Sequence, residues 1–139
     1  MSIENIFQLS NLLVMPFWLL MIFLPKWSWT QRIISSLWVV VPAALLYAIM
    51  VVPGIPSLLS ELMNPSLTRM AELLGTPEGA TIGWAHFLAF DLFVGRWAYL
   101  DSRARNLSPW LASPTIFFIL MFGPLGLLLY LATRLTKRT

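Results

Sequence analysis

Four apolar stretches, each long enough to cross a lipid bilayer, constrain this chain more than any other feature. They run over residues 6–24, 33–52, 80–100 and 111–133. Pro25-Lys26-Trp27 stops the first, Pro53-Gly54 the second, and Arg134, Lys137 and Arg138 close the fourth. Each holds about 19–23 residues, the length that crosses a hydrocarbon core of roughly 30 Å as a helix. Backbone polar groups in lipid must pair within their own segment, and the strand-length alternation of a membrane barrel is not visible. The expected fold is therefore all-α: one polytopic domain over 1–139 with four transmembrane helices.

The chain is 58% hydrophobic and 11% charged, against about 25% charge in a soluble domain. The absence of cysteine excludes disulfides, thiolate metal sites and a cysteine nucleophile. Nine Lys and Arg giving a net charge of +3 are too few for a nucleic-acid groove. The expected partner is the lipid bilayer and not nucleic acid. No basic residue precedes the first stretch and no small-residue cleavage site follows it, so it reads as a retained span with no transit peptide ahead of it.

Between the second and third stretches, residues 57–75 place leucines and methionines at near-helical spacing around Asn64-Pro65. Two short amphipathic helices on the membrane interface are expected, with Asn64 as N-cap and Pro65 as first helical residue of the second. They either tether two spans or form a lid over a lateral opening. In a four-span layout the loops at 25–32 and 101–110 share a side and carry Lys26, Arg32, Arg103 and Arg105. The other side carries Arg69, Arg134, Lys137 and Arg138, so the positive-inside rule does not choose an orientation. The basic residues that follow the first span but do not precede it favour both termini lying outside the cytoplasmic side. Trp27, Trp29 and Trp110, with Trp97 near a span end, suit the headgroup layer.

The third stretch carries the chemistry. Only Asp91 and Arg96, of fifteen Lys, Arg, Asp and Glu, fall inside a span, and the single histidine, His86, shares that span. A carboxylate at the bilayer centre costs about 2.5–3.5 kcal/mol and needs a partner or a polar cavity. Each step, from His86 to Asp91 and from Asp91 to Arg96, is five residues, about 140° around a helix. The three therefore do not share a face. Phe90, Phe93 and Trp97 continue the face of His86, whereas Gly95 and Ala98 continue that of Asp91 and allow a helix to approach. One histidine and one aspartate with no second ligand motif fall short of a metal centre, and none is expected. Asp101, Arg103 and Arg105 read as a solvated ion-pair cluster, and Asn106-Leu107-Ser108-Pro109 as the end of the helix. Phe122-Gly123-Pro124-Leu125-Gly126 reads as a kink in the fourth span.

The run Trp84-Ala85-His86-Phe87-Leu88-Ala89-Phe90-Asp91-Leu92-Phe93-Val94-Gly95-Arg96, followed by Asp101, resembles the signature of the abscisic-acid-deficient-four-like, neoxanthin-synthase-like membrane proteins. Pro124-Leu125-Gly126 with Thr133 is similar to that family's last span. The resemblance implies a multi-pass protein of xanthophyll metabolism, in a bacterial or cyanobacterial relative of the plant proteins. The membrane would be a bacterial inner membrane or a photosynthetic one. The resemblance implies a role like that of the plant members, which are needed to turn the epoxide violaxanthin into the allene neoxanthin, a change that needs acid–base groups but no electron carrier.

On that reading Asp91 holds the proton that activates an oxygen, His86 accepts the proton lost from the polyene, and Arg96 stabilises developing negative charge. Trp84, Phe90, Phe93 and Trp97 would bind the substrate. No cofactor is expected beyond a bound carotenoid or other apolar pigment. The contrasting expectation is a non-catalytic, pigment-associated subunit of a homo-oligomer or a larger photosynthetic complex.

Overall fold

A computed structural model describes residues 1–137; Arg138 of the expected basic tail lies outside the described residues. Among the described residues the chain is all helical, in seven α-helices and two short 3-10 turns. α1 is Ile3–Phe23, α2 Ser28–Ser35, α3 Val41–Val51, α4 Ile55–Met63, α5 Leu67–Leu74, α6 Pro77–Ala104 and α7 Pro109–Arg134. Three helical segments are long and apolar enough to cross a membrane: Ile3–Phe23, Val41–Met63 and Pro109–Arg134.

The apolar stretch expected at 33–52 is broken at its start and extended at its end. Ser36 is extended (φ −75°, ψ 132°), so α2 stops there and a 3-10 turn, Leu37–Val39, leads into α3. Pro53-Gly54, expected as a stop, lies in the 3-10 turn Val52–Gly54 instead. α4 follows without a gap because Pro56 occupies its first turn, where no backbone donor is needed. Residues 57–75 do form two helices separated at Asn64-Pro65, but the capping differs from expectation. Pro65 keeps Asn64 out of the helical region (φ −128°, ψ 67°), so Asn64 closes α4. Ser66 caps α5, its hydroxyl accepting from the Arg69 N–H at 3.3 Å.

α6 is the longest and most central helix. Thr76 caps its start, and Pro77 takes the first helical position. Its end is a Schellman motif: Asn106 is left-handed (φ 52°), the Leu107 N–H donates to Ser102 O at 2.9 Å, and the Asn106 N–H to Arg103 O at 3.1 Å. α1 lies parallel against it. Trp84 Nε1 donates to Asn11 Oδ1 at 3.0 Å near one end, and Tyr99 Oη to Pro25 O at 2.8 Å near the other. Between them the fully buried Trp18 ring lies so close over Gly95 that a side chain there would collide with it. The close approach expected at Gly95 is thus made by α1.

The fourth apolar stretch is folded back on itself rather than straight. A straight 26-residue helix would hold its ends about 38 Å apart. Here α7 begins three residues after Asn106, and just past its end the Lys137 ammonium donates to Asn106 O at 2.7 Å. Arg134 and Tyr130 also return to Asp101, at 2.8 Å and 2.6 Å. Pro124 lacks an N–H and excludes the helical region for the residue before it. Phe122 (φ −137°, ψ 34°) and Gly123 (φ 19°, ψ −89°) accordingly leave the helix. Gly126 then packs on the backbone of Phe118 and Ile119 with no room for a Cβ. The result is a helical hairpin with arms at 109–121 and 124–134, whose elbow reaches the level of Asp91.

Candidate functional site

α6 sends its polar side chains in separate directions, as the 140° steps require. His86 faces α3. Its ring meets Tyr47 edge-on at 5.4 Å and lies tilted against Phe90 at 5.0 Å between centroids. Two apolar cavities meet at this pair. The larger, about 320 Å³, is roofed by Leu58 and Leu62 of α4 and Leu73 and Leu74 of α5, and floored by Gly83 of α6. The smaller, about 180 Å³, runs on past Ala44, Phe90 and Phe93. Tyr47 and His86 line both. Neither the Tyr47 hydroxyl nor a ring nitrogen of His86 has a hydrogen-bond partner among the described residues. Tyr47 is half-buried and His86 exposed, so both polar groups are open to whatever enters the groove.

Asp91 turns to α7. Its Oδ1 lies 2.6 Å from the position a Cβ on Gly123 would take, so the carboxylate fills the space that the glycine leaves at the elbow. It has no hydrogen-bond or ion-pair partner among the described residues. Arg96 turns to the break after α2 and donates to Ser35 O at 2.6 Å and Ser36 O at 3.3 Å. These carbonyls are orphaned by the end of α2.

The four aromatic residues expected to bind a ligand are likewise divided. Phe90 and Phe93 line the smaller cavity. Trp84 is tied to α1 through Asn11 and lies tilted against Phe7 at 5.8 Å between centroids. Trp97 meets Tyr130 edge-on at 5.5 Å and lies beneath the Arg134 guanidinium. The structure therefore brings together His86, Phe90 and Phe93, and separates them from Asp91, Arg96, Trp84 and Trp97.

Two features escaped the sequence reading. Tyr47 sits within an unbroken apolar run, and nothing in the sequence marks it out. The second is the Asp101 cluster, expected as a solvated surface group. Asp101 is only 16% exposed at its side chain and joins α6 to the returning arm of α7. It accepts from Tyr130 Oη at 2.6 Å, from Arg105 Nε at 3.0 Å and from Arg134 Nη2 at 3.2 Å. Arg103 instead donates to Leu107 O at 2.7 Å. No group of three or more potential metal ligands occurs among the described residues.

An all-helical fold with three membrane-length apolar segments, a central polar helix and a folded-back last helix defines a membrane-type helical protein. The chain belongs to the ABA DEFICIENT 4-like family, whose model matches residues 5–130. It is 24% identical over 137 residues to Protein ABA DEFICIENT 4, chloroplastic, of Arabidopsis thaliana. That match covers 94% of this chain but 61% of the relative's own length. No solved structure matches this chain.

Proposed function

We propose that this chain is a membrane-embedded xanthophyll-modifying protein whose substrate ring lies at the junction of the two cavities, against Tyr47 and His86. The observation that carries the reading is the pair of polar side chains, each without a partner among the described residues, set in an apolar groove with family membership behind it. An oxygen-bearing ring on a long polyene offers what the groove lacks: polar atoms beside the pair and apolar surface elsewhere.

The reaction class that fits is a redox-neutral isomerisation of an epoxide to an allene. A proton leaves the polyene carbon next to the ring, the adjacent carbon–oxygen bond of the epoxide opens, and the oxygen gains a proton. Atoms and electrons balance with no carrier. On this reading the His86 imidazole accepts the carbon-bound proton and the Tyr47 hydroxyl protonates the oxygen. Asp91 and Arg96, expected to share this chemistry, face the α7 elbow and the α2 break, and this reading assigns them to holding those features.

The competing reading, a non-catalytic pigment-associated subunit, draws on the exposed aromatics Phe87 and Phe90 beside the groove. Purified protein in liposomes containing a 5,6-epoxy xanthophyll separates the two. The enzyme reading expects an allenic product by chromatography. It also expects His86→Ala to lose at least tenfold in rate while still co-purifying with pigment. Pigment bound stoichiometrically by the wild type with no product formed overturns it in favour of the subunit.

A further inference from the structure

The hairpin changes which charges share an end of the molecule. α6 is 28 residues long, about 42 Å, so its ends project beyond both faces of a core of roughly 30 Å. At its C-terminal end lie the α1–α2 connection, held by the Tyr99–Pro25 bond, and both ends of α7. That end gathers Lys26, Arg32, Arg103, Arg105, Arg134 and Lys137 against the single acid Asp101. At its N-terminal end lie the start of α1 and the α4–α5 connection, with Glu4, Glu61, Glu72 and Glu78 against Arg69 alone among the described residues. Arg69 is itself paired to Glu61 at 2.8 Å. The even division of basic residues expected from four straight spans is replaced by six against one.

A second observation marks the same end. Trp27, Trp29 and Trp110 are about half exposed or more, and Trp27 and Trp110 flank one shallow depression beside Lys26. Arg32 lies over the Trp29 ring at 5.1 Å. Basic groups interleaved with exposed indoles suit an anionic headgroup layer.

We infer that the C-terminal end of α6 is the surface that docks into the anionic, cytoplasmic leaflet. The chain crosses the bilayer through α1, α3–α4 and α6, and α7 re-enters from the cytoplasmic face without crossing. Residues 134–137 then lie on the cytoplasmic side and the start of α1 on the opposite side. This topology is independent of the substrate reading. It replaces the expectation that both termini share the non-cytoplasmic side, because the fold-back at Gly123-Pro124 removes the last crossing.

The chain has no cysteine, so Glu4→Cys, Asn64→Cys and Thr136→Cys each supply a single thiol in a bacterial expression host. A membrane-impermeant maleimide added outside right-side-out vesicles is expected to label Glu4→Cys and Asn64→Cys. Thr136→Cys should react at least tenfold more after the vesicles are opened. External labelling of Thr136→Cys together with Glu4→Cys shows that α7 crosses fully and overturns the re-entrant topology. Labelling of Thr136→Cys alone from outside overturns the orientation. Wild-type elution of each variant in detergent confirms that the labelled species is folded.

Discussion

Two tyrosines on opposite sides of α6 sit in contrasting surroundings. Tyr130 donates to the Asp101 carboxylate at 2.6 Å, within a cluster where two arginines complete the pairing. Tyr47 borders two cavities, and its hydroxyl has no partner among the described residues. The first region closes its polar groups on one another and fixes the returning arm of α7 to α6. The second leaves its polar groups open to a guest. Polar residues in an apolar protein are thus better sorted by whether their hydrogen bonds are already made than by how deeply they lie.

The contrast can be broken most severely at Asp101. Asp101→Ala leaves Arg105, Arg134 and Tyr130 without their common acceptor and is expected to cost about 3 kcal/mol of stability. The check is a lowered unfolding midpoint in detergent, with release of the α7 arm detected as new proteolysis near 124–134. The paired substitutions Tyr130→Phe and Tyr47→Phe sharpen the comparison. Tyr130→Phe removes a bond to a charged group and is expected to cost about 2 kcal/mol. Tyr47→Phe removes a hydroxyl with no partner among the described residues and should change stability by less than about 0.5 kcal/mol. Equal losses from the two would refute the distinction. The smallest structural disturbance is expected from Gly83→Leu. A Cβ there meets Leu74 Cδ2 at 3.2 Å, the flexible end of a side chain, and the added branch projects into the larger cavity. Its unfolding midpoint should stay near the wild-type value while pigment retention falls at least tenfold. Unchanged retention would place the ligand elsewhere.

Much of the architecture is legible in the sequence where the cause is local. Length and apolarity mark α1 and the last helix, and the Asn106-to-Pro109 sequence ends α6 as expected, the structure adding that Asn106 does so in a left-handed conformation. The 140° spacing also separates His86, Asp91 and Arg96 in advance. What the sequence hides depends on distant partners. Asp101 looks solvated because Arg105, four residues on, already explains it, whereas Tyr130 and Arg134 lie 29 and 33 residues away. Gly123-Pro124 announces a break, but hydropathy has no direction, so a hairpin and a bent span look alike. Tyr47 is invisible for a related reason: its significance comes from α4, α5 and α6 closing around it.

A helix pair that enters and leaves a bilayer by the same face carries no charge across it. On the re-entrant topology Arg134 and Lys137 never pass the bilayer centre, avoiding a transfer that would cost about 2.5–3.5 kcal/mol for each.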